Sequence, residues 1–334
     1  MHRLASASLV FSSLFVFSLA ADIRVEPDYD WHLPAGYPQP IVPVDNPVTP
    51  QKVALGEALF SDKRLSVNAT LSCGSCHDPD AHFSDGLPRP SGAENETLPL
   101  NTPTLWNSAY SASFSWTDKG FESLEQQHVG PLTNSAPVEL GLGAEQLLAL
   151  SKDAELLAML KRAFPEAEGF TQQNLIAALA SYVRTLIRGD SAFDRYLFAD
   201  DRNALSAQAQ EGLALFNSSR LNCAACHRGF LLSGPTRSVR AQFPPSFYRT
   251  GVSGSVEQFR VPSLKFVQHT APYMHDGSQQ TLDEVIDFYA SGGVSNDASG
   301  DTAPALGPKA TKRIKAFELT TKERQALLAF LRSL

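Results

Sequence analysis

Apolar residues recur at helical spacing along much of the chain and predict a mostly α-helical protein. Thr49 and Pro50 precede an apolar run that reaches Phe60, and a proline suits the first turn of a helix. The same spacing recurs in five further segments: residues 145–163, 171–187, 208–216, 282–289 and 321–334. Alternating patterns typical of strands are nearly absent. Prolines in residues 22–50 predict an extended arm, and the Gly, Pro and Ser residues of 231–254 predict a long loop.

Residues 1–21 have the pattern of a secretory signal peptide. Arg3 gives a positive start, residues 9–19 are almost wholly apolar, and small residues flank Leu19 where a peptidase would cut. The apolar run is too short to span a bilayer, and no later stretch reaches the roughly 18 apolar residues of a membrane helix. We therefore expect an exported protein without a membrane span, which in a bacterium lies in the periplasm.

The chain contains an internal duplication. The pattern Gly-x-x-Leu-Phe starts at Gly56 and again at Gly212, and each copy is followed by Cys-x-x-Cys-His. The histidines of these motifs, His77 and His227, are 150 positions apart. A repeat of that length indicates two homologous domains rather than a stacked array.

All the cysteines of the chain belong to the two motifs, and they are Cys73, Cys76, Cys223 and Cys226. Cys-x-x-Cys-His is the attachment pattern of c-type haem, in which both thiols bind the porphyrin and the histidine binds iron. Two disulfides or one four-cysteine zinc site are the alternatives, and neither explains a histidine after both pairs. We predict two cytochrome c-like domains, residues 22–200 and 201–334, each with one covalent haem c, joined near residues 190–204.

Composition and charge narrow the class of partner. The 334 residues suit two domains, and 43% hydrophobic with 19% charged residues is typical of a globular protein. The chain has 28 Lys and Arg against 35 Asp and Glu, a net charge of −7. This balance argues against nucleic acid as a main partner, since phosphate binding needs a basic surface.

The groups available on the far side of each iron distinguish an enzyme from an electron carrier. A dihaem electron carrier fills the sixth position of both irons, whereas an enzyme leaves one open. Beyond the leader and the two proximal histidines, the chain contains two methionines and five histidines: Met159, Met274, His32, His82, His128, His269 and His275. Their number alone leaves both possibilities open.

Several motifs outside the cysteine pairs match one known family. They are Asn101-Thr-Pro-Thr104, Trp116, Leu124-Glu-Gln-Gln127 with Gly130-Pro131, Arg260-Val-Pro-Ser-Leu264 and residues 270–277. On these residues the chain resembles the bacterial dihaem cytochrome c peroxidases, and more closely the MauG group. Three further segments resemble the MbnH branch of that group: Trp31-His-Leu-Pro34, Pro43-Val-Asp-Asn-Pro47 and Pro137-Val-Glu-Leu-Gly141.

The resemblance implies that the haem on His77 is the high-spin haem that reacts with peroxide. Peroxidases of the family often place a distal histidine at a position that lies near Thr97 here, and residues 83–100 contain no histidine. His82 is too close to His77 in sequence to reach the other haem face. We therefore expect this iron to be open to peroxide, as in MauG.

Two polar residues and a proline match the family's distal pocket. Gln127 and Glu139 correspond to the distal pair, and Pro131 corresponds to the pocket wall. Cleavage of peroxide needs a group that moves a proton between its oxygens, and a poorly solvated carboxylate has its pKa raised toward neutral. The spacing from Gln127 to Glu139 is two residues longer than expected, and a solvated loop position is the alternative for either residue.

The haem on His227 would be low-spin, with its second ligand on the helix predicted over residues 282–289. The family places this ligand fourteen residues after the position of His275, as methionine in peroxidases and as tyrosine in MauG; here the residue is Tyr289. A tyrosinate favours ferric and higher-valent iron, whereas methionine raises the potential. Met274 is the rival ligand, and an ordinary core side chain is the alternative reading of both.

Two further features follow from the resemblance. Trp116 matches the tryptophan through which the two haems share charge, its alternative being a core tryptophan. Asn101, with the carbonyls of Thr270 and Pro272, corresponds to a calcium site between the domains, and such oxygen ligands suit Ca²⁺ if waters complete the shell. The chain departs from the family's usual Arg-Asn and Leu-Arg-Asn at Leu100 and in Leu264-Lys-Phe266.

Taken together, the resemblance implies a periplasmic dihaem oxidoreductase. It would use hydrogen peroxide, hold the two oxidising equivalents across both irons, and oxidise a tryptophan of a partner protein by long-range electron transfer. One alternative is a cytochrome c peroxidase that receives electrons from a small cytochrome. The other is a dihaem electron carrier without catalysis.

Overall fold

A computed structural model describes residues 29–117, 120–255, 257–293 and 314–334 of the chain. Within these residues lie ten α-helices: α1 (Pro50–Phe60), α2 (Cys73–Cys76), α3 (Leu124–Thr133), α4 (Ala144–Ser151), α5 (Ala154–Ala163), α6 (Gln172–Thr185), α7 (Ala192–Phe198), α8 (Ala207–Asn217), α9 (Leu282–Ala290) and α10 (Thr321–Leu331). Two short antiparallel strands, β1 (Phe247–Tyr248) and β2 (Phe259–Arg260), form the only sheet of the described part. The protein is therefore mostly helical.

α1 and α6 form the centre of a first helical core. Leu55 and Leu59 of α1 are completely buried there. Gly56 lies between them against the backbone of α6, where an added Cβ would lie 2.1 Å from the carbonyl oxygen of Ala178. α3 packs on α6 and α5 packs on α1. The glycine of the repeated motif is required because only a residue without a side chain allows α1 and α6 to approach so closely.

α8 and α10 form a second core with the same packing. A Cβ added at Gly212 would lie 2.0 Å from the carbonyl oxygen of Ala326 in α10. The rings of Phe216 and Phe330 lie 5.2 Å apart, as do those of Phe60 and Tyr182 in the first core. The correspondence supports the internal duplication.

A buried polar network connects the N-terminal arm, α7 and the second core. The Lys265 ammonium group donates to the Asp194 carboxylate, and the Tyr37 hydroxyl donates to the same carboxylate at 3.0 Å. Lys265 and Asp194 are 1% and 2% exposed. Removing one member would leave a buried charge without a partner, which is strongly destabilising. Phe193 of α7 also packs in the second core, so this segment is held to the C-terminal half.

Most predicted helices are confirmed, and two segments differ from expectation. Residues 145–163 form two helices because the Asp153 carboxylate accepts the backbone N–H groups of Glu155 and Leu156, both at 3.0 Å, and so begins a new helix. Residues 190–204, expected to be a connection, contain α7.

The N-terminal predictions are only partly covered. Residues 1–21 lie outside the described residues, so the signal peptide stays a prediction. Residues 29–49 contain no helix or strand, as expected for an extended arm. Among the described helices none has the length and apolar character needed to cross a bilayer. The boundary between residues 200 and 201 also stays a prediction.

Candidate functional site: two cysteine-histidine motifs and their surroundings

The first motif forms one short helical turn. α2 contains Cys73 and Cys76, and the N–H of His77 donates to the carbonyl of Cys73 at 2.8 Å. The Nδ1 of His77 donates to the carbonyl of Phe83 at 3.0 Å, because a carbonyl can only accept. This bond fixes the tautomer and leaves Nε2 as the atom able to bind a metal.

The second motif repeats this geometry. Cys223 begins a 3₁₀ turn, and the N–H of His227 donates to the Cys223 carbonyl at 2.9 Å. The Nδ1 of His227 donates to the carbonyl of Leu232 at 2.8 Å. Desolvation lowers the pKa of both His77 and His227, so both rings are neutral at pH 7, the form in which an imidazole binds metal.

The cysteine pairs do not have the geometry of either alternative considered above. All four are free thiols, which excludes the disulfide alternative in this structure. Cys73 packs on the first core and Cys223 on the second, and no cluster of three or more metal-binding side chains occurs among the described residues. Burial raises the pKa of Cys73 to about 12 and that of Cys223 to about 11, so these are not activated thiolates.

After α3 the chain turns back, and this return brings Glu139 near the first motif. Pro131 lies inside α3, and its carbonyl accepts the N–H of Leu140 at 3.1 Å. The carbonyl of Glu139 accepts the N–H of Ala93 at 2.9 Å. The charge of Glu139 contributes to the raised pKa of both thiols of the first motif, so the carboxylate lies near that motif. The longer sequence spacing is thus absorbed in the loop after α3.

Gln127 and Pro131 lie one helical turn apart on α3 and face the same side. The Oε1 atom of Gln127 is buried and accepts no hydrogen bond from any described residue. Pro131 has no N–H to donate to the Gln127 backbone carbonyl. A buried acceptor without a donor is costly unless a ligand or water supplies one, so Gln127 is suited to orient a small hydroxyl-bearing ligand.

His128, the residue after Gln127, is a partly buried histidine to which sequence analysis gave no role. Its Nδ1 donates to the carbonyl of Leu124 at 2.6 Å. Desolvation is the largest cause of its lowered pKa, and the positive charge of Arg184 acts in the same direction. The ring is therefore neutral at pH 7.

The lowered pKa of His128 predicts an acid-dependent loss of stability. Below pH 6.5 the unfolded chain binds a proton at this histidine before the folded protein does, so the free energy of unfolding falls with pH until the folded-state pKa is reached. The His128→Asn variant should lose this component, at most about 1.4 kcal/mol per pH unit. Denaturant unfolding of the holoprotein across this range measures it. The control is the His32→Asn variant, at a side chain that is 86% exposed, and its free energy of unfolding should depend on pH as in wild type. Identical pH dependence in the two variants would contradict the prediction.

His82 is engaged away from the first site. Its ring stacks on that of His269 with centroids 4.2 Å apart and planes 3° from parallel. The Thr104 hydroxyl donates to the His82 carbonyl at 2.7 Å, which helps hold the turn in place. This arrangement agrees with the expectation that His82 does not serve as a distal ligand of the nearby motif.

A cavity of about 290 Å³ adjoins the second motif, and we call it the second cavity after that motif. It is lined by the motif and by the residues expected around the second haem: His227, Cys223, Cys226, Tyr289, Met274 and Trp116. Desolvation, with the nearby Cys226 and Cys223, raises the pKa of Tyr289 to about 12. A phenol of that kind stays neutral unless a metal cation faces it. Tyr289 and Met274 both border the cavity, so both potential ligands are present.

Unpartnered polar atoms in the cavity fit a haem. The Nε of Arg260 and the Nε1 of Trp106 are buried and have no hydrogen-bond partner among the described residues. Haem carries two carboxylates, which are the acceptors that a guanidinium and an indole N–H require. Burial lowers the pKa of Arg260 to about 10, so the side chain remains positive at pH 7.

Trp116 lies where the two halves of the chain meet. Its indole N–H donates to the backbone carbonyl of Asn101 at 2.8 Å. The N–H of Asn101 in turn donates to the carbonyl of His275 at 2.7 Å. Trp106, five residues after Asn101, packs edge-on against Phe83 at 4.9 Å. Both tryptophans border the second cavity. Trp106 also contacts Phe83, whose carbonyl accepts the hydrogen bond from His77.

The three residues expected to bind calcium also border this cavity: Asn101, Thr270 and Pro272. The Asn101 amide nitrogen donates to the carbonyls of Leu87 and Pro88, at 2.9 and 3.3 Å. Its use as a donor directs Oδ1 away from these carbonyls, and no described residue donates to Oδ1. Side-chain and backbone oxygens of this kind suit Ca²⁺.

Arg260, Trp106 and His128 have no role that the sequence pattern indicates. Arg260 stood inside a motif used for the resemblance, and Trp106 follows another. A charged or indole side chain within an otherwise apolar motif was the available signal, but only the fold shows which cavity it borders.

Comparison with known proteins agrees with this geometry. The sequence model of the di-haem cytochrome c peroxidase family matches residues 50–202. The methylamine utilization protein MauG of Methylorubrum extorquens is 36% identical over 304 residues, 87% of this chain and 80% of that protein. The cytochrome-c peroxidase IdrP1 of Denitromonas iodatirespirans is 34% identical over 340 residues, 88% of this chain and 84% of that protein.

A solved structure is also similar throughout. The crystal structure of a MauG-like protein associated with microbial copper homeostasis superposes with a TM-score of 0.82 at 34% identity, over 92% of this chain and 95% of that chain. Identity to a MauG and to a peroxidase is nearly equal, so similarity alone does not separate the two activities. The chain belongs to the di-haem cytochrome c peroxidase family, which implies two haem c groups, and it is an oxidoreductase that uses peroxide.

Proposed function

We propose that this protein is a periplasmic MauG-like enzyme of the MbnH branch, which uses hydrogen peroxide to oxidise a tryptophan side chain of a partner protein. Haem would attach through Cys73 and Cys76, and again through the second cysteine pair. Each proximal histidine would bind iron through Nε2. The haems, when bound, supply the iron that reacts with peroxide and hold its oxidising equivalents.

The observation that carries this proposal is the position of Tyr289. Its side chain borders the same cavity as His227 and lies near Cys223 and Cys226. A phenolate ligand stabilises the more oxidised states of iron, which suits an enzyme that must hold oxidising equivalents before a protein substrate is attacked. A methionine ligand would instead suit acceptance of electrons from a cytochrome.

The distal side of the first site supports direct reaction with peroxide. Glu139 would take a proton from one oxygen of hydrogen peroxide and return it to the other, which leaves as water, while the haem, when bound, would supply the two electrons that O–O cleavage requires. Gln127 accepts a hydrogen bond from the peroxide through Oε1, and Pro131 gives the pocket an apolar wall that excludes a competing donor. His82 is stacked on His269, and this supports an iron without a distal histidine.

Trp116 is the residue through which the two sites would exchange electrons. It borders the second cavity, and its indole N–H is held by the Asn101 carbonyl. A calcium ion bound by Asn101, Thr270 and Pro272 would keep that carbonyl, and with it the indole, in place. The calcium ion between the two domains would thus help to keep the distance between the haems constant.

A second candidate is a peroxidase that receives electrons from a small cytochrome. Met274 favours it, because this side chain borders the second cavity with Tyr289. If Met274 rather than Tyr289 bound the iron, the higher potential would favour electron entry from a donor protein.

The test is incubation of the mature dihaem protein with hydrogen peroxide and separate periplasmic partner proteins. The structural neighbour associated with copper homeostasis makes exported proteins of copper homeostasis the first partners to try. We expect peptide mass spectrometry to show oxygen added to a partner tryptophan, only with peroxide present. Rapid oxidation of a reduced small cytochrome, with every partner unmodified, would reject the proposal in favour of the second candidate.

A further inference from the structure

Arg260 is attached to Trp116 in two ways. Its backbone N–H, in β2, donates to the Trp116 carbonyl at 2.9 Å. Its guanidinium carbon lies 5.5 Å from the centre of the Trp116 ring, within the range of a cation–π contact. Both side chains border the second cavity. The position of the charge relative to the indole is therefore set by the backbone.

The charge on Arg260 is not neutralised by the described part of the chain. No carboxylate among the described residues forms an ion pair with it, and its Nε is buried without a hydrogen-bond partner there. Arg188 lies at a similar 5.7 Å from the ring of Trp106, but it pairs with Asp190 at 2.8 Å, and its side chain is 39% exposed. Its field on Trp106 is consequently weakened by its partner and by water.

Trp116 has no base that could take its proton. Its indole N–H donates to the backbone carbonyl of Asn101, which cannot be protonated at ordinary pH. If an electron left this indole, the positive charge would stay on the ring, close to the positive guanidinium of Arg260. Like charges at this separation in a poorly solvated site repel strongly.

We propose that Arg260 protects Trp116 from oxidation, so that electrons pass between the two sites while the oxidising equivalents leave to the partner protein. The inference rests on the proposed function, since it concerns where peroxide-derived oxidation ends. Arg260 is a positioning residue: its charge acts on the Trp116 indole, 5.5 Å away, and not on peroxide.

The reaction that Arg260 suppresses is self-hydroxylation. One C–H bond of the indole becomes C–OH, the indole loses two electrons, and the O–O bond of hydrogen peroxide breaks. The hydroxyl oxygen comes from water, the two electrons and two protons released reduce hydrogen peroxide, and both peroxide oxygens leave as water. The product is a hydroxytryptophan at position 116, heavier by one oxygen atom.

The test compares Arg260→Met and Arg260→Gln, which remove the charge, with Arg260→Lys, which keeps it. Each mature dihaem protein is treated with successive equivalents of hydrogen peroxide without a partner, and the peptide containing Trp116 is followed by mass spectrometry. We expect about tenfold more oxidised Trp116 per equivalent of peroxide in the two neutral variants. The lysine variant should stay close to wild type.

Arg202→Met is the matched control. Arg202 lies 5.3 Å from the ring of Tyr196, outside the residues that border the second cavity. This variant should oxidise Trp116 at the wild-type rate.

The haem content of every variant and the midpoint potential of each haem are measured in the same samples. Equal Trp116 oxidation in wild type and in either neutral variant, with both haems attached, would overturn the proposal. It would mean that a haem carboxylate cancels the guanidinium charge. Because this readout is taken on the enzyme's own Trp116 without a partner, it is independent of whether a partner tryptophan is the substrate.

Discussion

Replacing Glu139 with glutamine is expected to slow the reaction with hydrogen peroxide by about 100-fold to 10,000-fold at neutral pH. Glutamine has almost the same shape but cannot take up and return a proton. The backbone carbonyl of Glu139 accepts the N–H of Ala93 at 2.9 Å, and the substitution keeps this loop contact. Stopped-flow absorption of the resting protein mixed with peroxide measures the rate directly.

The matched control is Glu96→Gln. Glu96 is exposed and its carboxylate accepts the N–H of Val138 at 3.3 Å, so this variant removes a negative charge from the neighbouring loop without touching Glu139. We expect the wild-type rate. If Glu139→Gln also reacted at the wild-type rate, Glu139 would have no part in the reaction, and Gln127 would be the next residue to change.

Replacing Tyr289 with phenylalanine is expected to convert the second haem to a different spin state and to raise its potential. The phenol oxygen is the only heavy atom removed, so the cavity should keep its shape while the proposed tyrosinate ligand is lost. Electron paramagnetic resonance of the resting ferric protein, with a potentiometric titration, measures both effects. Oxidation of a partner tryptophan should fall with them, since the second iron would no longer hold an oxidising equivalent well.

Two variants in the same cavity serve as comparisons. Tyr273→Phe removes another phenol that borders the cavity and should leave the spectrum unchanged. Met274→Leu removes the rival ligand. An unchanged spectrum in Tyr289→Phe together with an altered one in Met274→Leu would mean that Met274 binds the iron, and it would favour the peroxidase fed by a small cytochrome.

The helices were predictable from local pattern, and their boundaries followed local chemistry. Thr49 accepts the N–H of Lys52, and Pro50 begins α1 as its position in the sequence indicated. The break between α4 and α5 also has a local cause, the Asp153 carboxylate that begins α5. Because Asp153 lies inside a run of apolar residues at helical spacing, that spacing predicted one continuous helix. Periodicity outweighed a single capping side chain in the prediction.

α7 was missed because its stability comes from distant contacts. Its Asp194 is held by Lys265 and Tyr37, which lie far from it in sequence, and its Phe193 packs against α10. Ser191 and Asp194 form a capping box at its start, which is a local signal, but a segment of seven residues is too short to form a stable helix in isolation.

From the sequence alone one could predict the two Cys-x-x-Cys-His motifs, the repeated pattern at Gly56 and Gly212, and the mostly helical class. Each copy of these patterns lies within one or two helical turns, where the covalent chain already sets the relation between residues. The fold was needed to show that Arg260 lies over the Trp116 ring, that Glu139 lies near the first motif, and that Tyr289 and Met274 border one cavity. Those relations depend on how distant segments pack, and packing is a cooperative property of the whole chain that no local pattern contains.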